Sequence, residues 1–293
     1  MNIALTGATG FIGRHLIPKL RDEGHQLRTL GRRPVDALPF FVWDASAEPP
    51  QQAIEGCGAV IHLAGETVAQ RWNPEAKHRM RQSRVDGARH LVSAMSKVSA
   101  KTAVLLSASA VGIYGSRGDE TLTETSSRGS GFLADLVEEW ESATRAAEAF
   151  GVRVVNLRFG LVLGRDGGAF PKMAMPFRFG AGGQLGSGEA WMPWVHVEDV
   201  ANLIVFALNH DLLRGPVNVT SPNPVTNAEF TRTLAGILHR PAFFTVPEFA
   251  LKLALGEMSE AVLSSVRAIP AAAQAAGFKF TYPELRPALA NLR

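Results

Sequence analysis

Three glycines near the start of the chain constrain its fold more than any other feature. Gly7, Gly10 and Gly13 follow the apolar run at residues 3–5 and lead into a helical pattern of apolar residues. This spacing predicts a strand, a tight turn and a helix. In such a unit the first glycine allows the turn, the second lets the backbone approach a pyrophosphate, and the third lets the helix pack closely on the strand. The alternative is a glycine-rich turn that binds no ligand.

The composition limits the class of protein. Of the 293 residues 46% are hydrophobic and 19% are charged, which is enough apolar material for a sizeable core. Cys57 is the only cysteine, so an intramolecular disulfide is impossible and nothing points to an oxidising compartment. The first strand begins almost at Met1, and no apolar run is long enough to span a bilayer. We therefore expect a cytoplasmic protein without a membrane partner.

The charge distribution argues against nucleic acid as a partner. The net charge is only +3, and the basic residues are dispersed except at Arg32–Arg33 and over residues 71–89. Neither region interleaves aromatic with basic residues as a surface for single strands does. A phosphorylated small molecule would explain both clusters. We expect no metal site.

Strands alternate with helices along most of the chain. Besides the helix after the glycine turn, the patterns predict helices over residues 74–98, 132–150 and 230–238 and one ending at residue 208, with strands near residues 26–30, 40–43, 59–63, 102–106, 152–157 and 217–219. This alternation indicates an α/β fold, a doubly wound parallel sheet of the Rossmann type with ligands at the carboxyl ends of its strands.

The organisation changes in the last third of the chain. We predict a cofactor-binding domain over residues 1–235 and a small, mostly helical, substrate-side domain over residues 236–293. The glycine-rich residues 165–190 read as a mobile segment that contributes to the substrate side. His196 comes directly before a predicted helix and is flanked by valines, which favours a hydrogen-bonded structural role over a catalytic one.

The tip of the second strand predicts which dinucleotide binds. In folds of this type an acidic residue at this tip accepts the ribose 2′-hydroxyl of NAD. The sequence here is Gly31-Arg32-Arg33-Pro34, with two guanidinium groups and no carboxylate. Such groups would pair with a 2′-phosphate, which favours NADP(H) over NAD. The alternative is two solvated arginines on a loop.

The chain resembles the extended short-chain dehydrogenase/reductase superfamily, which includes the sugar-nucleotide epimerases and dehydratases. It shares the glycine motif at residues 6–13, His-Leu-Ala-Gly at 62–65 and Arg-Phe-Gly-Leu-Val-Leu-Gly at 158–164. Further segments resemble an atypical subgroup known as epimerase family proteins, which carry a short C-terminal domain; among them are Ser-Arg-Val at 83–85, Gly-Ser-Gly at 186–188 and Leu-Gly-Glu-Met at 255–258. The resemblance covers essentially the whole chain.

The resemblance implies two catalytic positions that this chain fills with apolar residues. In the superfamily a Tyr-x-x-x-Lys pair stands on the helix before the sixth strand, and the lysine lowers the pKa of the tyrosine so that it can transfer a proton. The usual spacing places Leu136 at the tyrosine position and Trp140 at the lysine position. An ordinary sugar-nucleotide epimerase is therefore disfavoured.

Two polar residues remain as catalytic candidates. Tyr114 is the one phenol near the sheet and would need a cation beside it, either the oxidised nicotinamide or an arginine such as Arg84. Ser109 takes the serine position of the superfamily only if its loop carries one extra residue; otherwise Ala110 falls there.

The chain matches the cofactor-binding positions of the superfamily more completely than the catalytic positions. By resemblance, Gly7, Thr9, Gly10, Phe11 and Ile12 surround the pyrophosphate, and Gly13 completes the glycine motif of this cofactor site. Gly31 and Arg32 meet the ribose phosphate, with Arg33 as a second candidate beside them, and Leu63 and Ala64 line the adenosine side. Val162 meets the nicotinamide end. The residues alone do not decide whether Arg84 is a solvated arginine or contacts a ligand. By resemblance, it reaches the cofactor from the long helix.

These observations leave two main functions. The first is an NADP(H)-dependent oxidoreductase or epimerase-like enzyme with a rearranged acid and base, acting on a small-molecule substrate of unknown identity. The second is an NADP(H)-binding sensor or interaction protein without turnover, because the binding residues are present and the usual catalytic pair is not.

Overall fold

A parallel sheet forms the centre of the fold. The computed structural model describes residues 1–100 and 102–293. Its strands are β1 (Asn2–Thr6), β2 (Gln26–Gly31), β3 (Phe40–Val42), β4 (Ala59–His62), β5 (Val104–Ala110), β6 (Thr121–Leu122), β7 (Arg153–Phe159), β8 (Leu161–Gly164), β9 (Gly167–Gly168), β10 (Gly183–Leu185), β11 (Trp191–Met192), β12 (Trp194–His196), β13 (Gly215–Val219), β14 (Val225–Thr226), β15 (Phe244–Val246) and β16 (Arg267–Ala268).

The helices alternate with these strands along the first two thirds of the chain and dominate the tail. They are α1 (Phe11–Asp22), α2 (Pro74–Arg81), α3 (Gly87–Lys97), α4 (Phe132–Arg145), α5 (Phe170–Arg178), α6 (Val197–Asn209), α7 (Asn227–Leu238), α8 (Glu248–Leu255), α9 (Ser259–Leu263), α10 (Ala271–Ala275) and α11 (Leu285–Leu292). A π-helical segment, Gln82–Asp86, joins α2 to α3 into one long helix, so the predicted helix over residues 74–98 is confirmed.

The central sheet has seven strands in the order β3-β2-β1-β4-β5-β7-β13, and all neighbours run parallel. The order reverses between β1 and β4, which opens a crevice at their carboxyl ends. The predicted doubly wound sheet is therefore confirmed. The glycine turn after β1 and residues 63–66 after β4 both stand at this crevice.

Both faces of the sheet are covered by helices. Side chains of a strand alternate between faces: Ile3 and Leu5 pack in the cluster that α1 and α6 cover, while Ala4 packs in the cluster that α3 covers. Strands buried on both faces read as continuous apolar runs, as β1 and β4 do.

Residues 165–190 differ from the prediction of a mobile segment. They contain β9, α5 and β10, and α5 buries Phe170, Ala174 and Phe177 against α7 and the tail. Pro171 stands in the first turn of α5, where a missing N–H is harmless, but Pro176 interrupts the helix interior. The two prolines and the adjacent glycines concealed this helix in the sequence.

The tail packs closely on the rest of the chain. Leu285 and Leu289 of α11 share a buried cluster with Phe230 and Leu234 of α7. The predicted domain boundary between residues 235 and 236 falls inside α7, and the division into two domains stays a prediction. Within the described residues, no helix is both long and apolar enough to cross a membrane.

Candidate functional site

The glycine turn is shaped by contacts of the chain with itself. Gly7 has φ +72°, and a Cβ there would lie 2.7 Å from the carbonyl carbon of Leu63. A Cβ at Gly13 would lie 2.8 Å from the carbonyl oxygen of Ala8. At Gly10 the nearest atom to such a Cβ is the carbonyl oxygen of Gly7, at 3.0 Å, and the next lies at 4.0 Å. Gly7 and Gly13 therefore serve the turn itself, whereas the outer side of Gly10 is open.

Helix α1 begins directly after this turn. Its N-cap is Gly10, and no side chain among the described residues caps it; its first turn also holds no acidic residue. The first N–H groups of the helix and the positive end of its dipole are therefore free for an anion.

Thr6 joins β1 to β4 at the floor of the crevice. Its hydroxyl accepts hydrogen bonds from the backbone N–H groups of Leu63 and Ala64, both at 3.1 Å, and donates to Nδ1 of His62 at 2.8 Å. His62 is fully buried. Burial and, to a smaller extent, the nearby Arg84 lower its pKa to about 4, so the imidazole is neutral and its acceptor nitrogen faces Thr6.

A cleft of about 470 Å³ opens at the carboxyl ends of β1, β2, β3 and β4. That volume lies within the range of pockets that hold small ligands and cofactors. Eight of the predicted cofactor residues line it: Gly7, Thr9, Gly10, Gly31, Arg32, Arg33, Leu63 and Ala64. The structure therefore brings the glycine turn and the arginine tip of β2 together around one cleft.

The cleft also contains charged residues besides Arg32 and Arg33; Asp44 follows the third strand, where folds of this type often meet the adenine, whereas sequence reasoning missed Arg79. Asp44 lies on its wall. Hydrogen bonds from the side chain and backbone N–H of Ser46 lower the pKa of Asp44, and attraction to Arg32 lowers it by a smaller amount. Arg79 also lines the cleft and donates to Gln70 Oε1 at 3.2 Å. The basic cluster at residues 71–89 was the signal from which Arg79 could have been found.

Arg84 stands in the π-helical segment, beside the end of β4. A Cβ at Gly65 would lie 3.3 Å from Arg84 Cζ, and the guanidinium lies over the ring of Trp140, 5.3 Å from its centroid. Burial lowers the pKa of Arg84 to about 10, although Glu66 opposes this shift. Its Nη1 atom is buried and has no hydrogen-bond partner among the described residues. Buried polar groups are almost always paired, so this guanidinium can donate a further hydrogen bond to a ligand.

Four predicted cofactor residues lie beside the cleft instead of on its wall. The ring of Phe11 packs against the glycines of the β8–β9 hairpin, where a Cβ at Gly168 would lie 2.7 Å from it. Ile12 is partly buried against the core, and Gly13 packs on the turn. Val162 on β8 pairs in register with Val195 and is half-buried. For Phe11 only the backbone N–H, at the start of α1, remains free to meet a pyrophosphate.

The surroundings of Tyr114 differ from those predicted. It is fully buried, donates its hydroxyl proton to Asn218 Oδ1 at 2.8 Å and accepts from Arg158 Nη1 at 2.9 Å. Burial raises its pKa despite the Arg158 cation. The cation expected beside it was the oxidised nicotinamide or an arginine such as Arg84; the structure places an arginine there, but it is Arg158 at the end of β7.

Ser109 belongs to the same buried network. Its hydroxyl donates to Glu141 Oε1 at 2.6 Å, and Arg158 donates to both oxygens of that carboxylate, at 2.8 and 2.9 Å. Glu141 is 1% exposed. Ser109 and Tyr114 therefore stand at two ends of one polar network and lie outside the wall of the cleft.

Leu136 and Trp140 lie on the inner face of α4. Both are buried in a cluster with Met80 and Val85 of the long helix. His196 is the N-cap of α6, and its Nδ1 accepts a hydrogen bond from the backbone N–H of Glu198 at 3.2 Å. The predicted structural role of His196 is thus confirmed.

A second cavity, of about 440 Å³, lies between the start of α4 and the tail. Its wall combines aromatic, hydroxyl and charged side chains, among them Trp72, Ser116, Ser130, Phe132, Lys252 and Glu260. Within residues 1–100 and 102–293, no group of three or more His, Cys, Asp or Glu side chains could hold a metal ion.

Comparison with known families agrees with this architecture. Residues 3–219 match the NAD dependent epimerase/dehydratase family, and residues 246–292 match a domain of unknown function, DUF1731. The chain belongs to the NAD-dependent epimerase/dehydratase family. It is an NAD(P)-binding, epimerase-like protein, and the predicted resemblance to epimerase family proteins is confirmed.

Several relatives match the chain over nearly its whole length. The epimerase family protein YfhF of Bacillus subtilis is 40% identical over 297 residues, which cover 100% of this chain and 98% of the relative. A chloroplastic homologue of SDR39U1 from Arabidopsis thaliana is 39% identical, covering 99% and 86%. The crystal structure of human epimerase family protein SDR39U1 with NADPH superposes with a TM-score of 0.90 at 32% identity, covering 100% of this chain and 99% of that one.

Proposed function

We propose that the chain binds NADP(H) across the crevice between β1 and β4 and acts as an oxidoreductase or epimerase-like enzyme without a Tyr-x-x-x-Lys pair. The observation that carries this proposal is the pair Arg32 and Arg33 on the cleft wall, at the tip of β2. Guanidinium groups match the geometry and charge of a 2′-phosphate. The NADPH in the human SDR39U1 structure supports the same cofactor.

The residues of the site fit such a cofactor. The uncapped start of α1 and the open side of Gly10 suit the pyrophosphate. Leu63 and Ala64, held by Thr6, would line the adenosine side. Arg84, with its unpaired Nη1, would donate to the cofactor near Gly65. When bound, NADP(H) supplies or accepts a hydride.

The polar residues available for proton transfer are few. Leu136 and Trp140 hold no titratable proton, and the stacked Arg84 places a fixed cation above Trp140. Tyr114 and Ser109 stay predictions as catalytic residues. Their burial and their satisfied hydrogen bonds favour a structural role, because a general acid must come within reach of the substrate.

The preference for NADPH is the direct test of the proposal. We expect NADPH to bind at least about tenfold more tightly than NADH, since charge-assisted hydrogen bonds contribute about 1.5–3 kcal/mol and 1.4 kcal/mol is about tenfold in affinity. Arg32→Ala should remove most of this preference. Arg89→Ala, an exposed arginine in the other basic cluster, is the matched control and should leave it unchanged. Equal dissociation constants for the two cofactors in the wild type would contradict the proposal.

The second candidate is an NADP(H)-binding sensor or interaction protein without turnover. The apolar Leu136 and Trp140 and the fully engaged Tyr114 favour it. NADPH oxidation with a panel of aldehydes, ketones and quinones separates the two candidates. Turnover that survives Tyr114→Phe and Ser109→Ala supports an enzyme that uses neither residue. Binding without turnover on any substrate, with activity appearing only in Leu136→Tyr/Trp140→Lys, supports the sensor.

A further inference from the structure

The second cavity is formed jointly by two distant parts of the chain. Of its sixteen lining residues, eight lie between positions 72 and 133 and eight between positions 248 and 266, inside the segment that matches DUF1731. Its volume of about 440 Å³ lies within the range of pockets that hold small molecules. The tail therefore supplies half of the wall of a cavity that is large enough for a ligand.

Hydrogen bonds hold the two halves of this cavity together. The segment at Trp72 pairs with Gly256 in an isolated parallel β-bridge. Ser265 donates its backbone N–H to Ser116 Oγ at 3.1 Å and its hydroxyl proton to the carbonyl oxygen of Gly118 at 2.8 Å. The two halves are thus fixed relative to each other, and sites for small molecules are usually preformed in this way.

Aromatic and aliphatic side chains form much of the cavity wall. Trp72 is 5% exposed, and its ring meets the ring of Phe132 edge to face, with centroids 5.3 Å apart and an interplanar angle of 65°. The indole N–H of Trp72 donates to the carbonyl oxygen of Val68 at 3.0 Å, so the ring offers a ligand carbon surface. Leu133 and Val266 add aliphatic side chains. Because aromatic rings favour edge-to-face and offset packing, this wall suits a further aromatic ring.

Two serines of the cavity wall can accept a hydrogen bond from a ligand. Ser259 is 3% exposed and donates its hydroxyl proton to the carbonyl oxygen of Gly256 at 2.6 Å. Ser264 donates to the carbonyl oxygen of Ala261 at 3.1 Å. A hydroxyl whose proton is already engaged can take part in a further hydrogen bond only as the acceptor. The serines of the tail therefore match a ligand that donates a proton, such as one with a hydroxyl group.

The charged residues of the cavity wall are exposed to solvent. They are Glu248, Lys252 and Glu260, whereas the lining residues that are fully or partly buried are apolar residues, glycines and serines. The Lys252 ammonium lies 3.9 Å from the Glu248 carboxylate, so its charge is already opposed. Two carboxylates against one ammonium leave an excess of negative charge, and like charges brought together weaken binding. An anionic ligand is therefore disfavoured.

The cofactor cleft has the opposite charge balance. Its wall carries three guanidinium groups and two carboxylates, those of Arg32, Arg33, Arg79, Asp44 and Glu66. Guanidinium groups are the side chains best suited to phosphate, and none of the described residues that line the second cavity is an arginine. The chain thus combines a site suited to phosphate with a second site of different chemistry.

We propose that the second cavity binds an uncharged aromatic compound with a hydroxyl group, whose ring lies against Trp72 and Phe132 and whose hydroxyl donates to Ser259. This gives the DUF1731 segment a function, which is to form one side of the site. A sugar nucleotide, with its charged diphosphate, does not fit. The described lining residues of this cavity and of the cofactor cleft do not overlap, so binding here can be tested independently of NADP(H).

Isothermal titration calorimetry of the full chain with 2-naphthol tests the class of ligand. We expect 2-naphthol to bind with and without NADPH, and the anions 2-naphthoate and UDP-glucose to bind at least about tenfold more weakly. A failure of 2-naphthol to bind overturns the proposal. It is equally overturned if 2-naphthoate, UDP-glucose or the cation of 2-naphthylmethylamine binds as tightly as 2-naphthol or more tightly.

Substitution of the aromatic wall tests the place of binding. Phe132→Ala should weaken 2-naphthol binding at least about tenfold, because it removes a ring that the ligand would contact. Phe179→Ala, at a phenylalanine that is 82% exposed outside the cavity wall, is the matched control and should leave the affinity unchanged. Ala261→Leu fills the cavity without removing a ring and should also weaken binding, so the test does not depend on whether Phe132→Ala folds. Unchanged affinity in a folded Phe132→Ala protein or in Ala261→Leu overturns the proposal.

Removal of one serine tests the hydrogen bond separately. Ser259→Ala should weaken the binding of 2-naphthol and leave that of 2-methoxynaphthalene unchanged, because the methyl ether has no proton to donate. Ser142→Ala, at an exposed serine of α4, is the matched control and should change neither affinity. Equal losses for the two compounds in Ser259→Ala, or no loss for 2-naphthol, contradict the proposed hydrogen bond. NADPH titration of the same variants reports on the cofactor site, so a failure of the proposed function is distinguished from a failure of this one.

Discussion

Two glycines only three residues apart should respond differently to the same substitution. Gly10→Val should abolish NADPH binding and leave a folded protein, because the added side chain points into the open cleft and meets only the carbonyl oxygen of Gly7. Gly13→Val should disturb the fold itself, since its Cβ would press on the backbone of Ala8 at 2.8–2.9 Å. Circular dichroism beside a fluorescence titration distinguishes the two. An unfolded Gly10→Val protein would mean that Gly10 serves the turn.

A buried histidine should make stability depend on pH. The pKa of His62 falls from 6.5 to about 4 on folding, so the unfolded chain binds a proton that the folded chain rejects. The stability that His62 contributes is therefore complete above pH 6.5 and is lost as the pH falls towards 4, by about 3 kcal/mol. In His62→Gln, the free energy of unfolding measured in urea should change less with pH over this range than in the wild type. His78→Gln, at an exposed position, should keep the wild-type slope.

At the scale of residues, the sequence predicted well the conformation and role of positions that local spacing fixes. The positive φ of Gly7 and the capping role of His196 follow from neighbours in the chain. Arg79 reaches the cleft only through the packing of separate elements. An arginine beside Tyr114 was one of two expected cation sources, but the sequence could not identify it as Arg158, because the contact depends on how β7 and the loop after β5 align.

Helix α4 and strand β7 are joined by an ion pair whose removal should be costly. Glu141 and Arg158 are nearly inaccessible, with side chains 1% and 8% exposed. Glu141→Gln leaves the guanidinium without a counter-charge, and breaking a buried pair in this way costs about 3–5 kcal/mol. Glu139→Gln on the same helix removes a partner of Arg81 that is half in solvent and should cost less than about 1 kcal/mol. Urea unfolding of both variants is the measurement, and equal losses would show that the buried network adds nothing.

At the scale of elements, the apolar patterns predicted whether a segment is a helix or a strand better than they predicted its internal geometry. The helix over residues 74–98 was predicted from its stripe, yet the π-helical turn that directs Arg84 was not, because one shifted hydrogen bond leaves the stripe almost unchanged. Helix α5 was not predicted, because its two prolines disfavour a helix in the sequence. Packing against α7 stabilises the helix in the structure.

At the scale of the whole molecule, the tail is held by a carboxylate on α6. Asp199 is buried and accepts hydrogen bonds from the backbone N–H groups of Thr281 and Tyr282, at 2.6 and 2.9 Å. Helix α11 then packs Leu289 in the same cluster as Leu234 of α7. The tail thus contacts elements from two parts of the preceding chain, whereas independent domains share few contacts across their boundary.

These contacts predict how the molecule unfolds. We expect one calorimetric transition with equal calorimetric and van't Hoff enthalpies, because the tail cannot leave without exposing the core of α7. Asp199→Ala leaves two partly buried N–H groups unpaired and should lower the free energy of unfolding by about 1–3 kcal/mol, moving the whole transition to lower temperature. Glu198→Ala, beside it and half-exposed, is the control and should change it little. A separate early transition in Asp199→Ala would instead show that residues 236–293 unfold as a domain of their own.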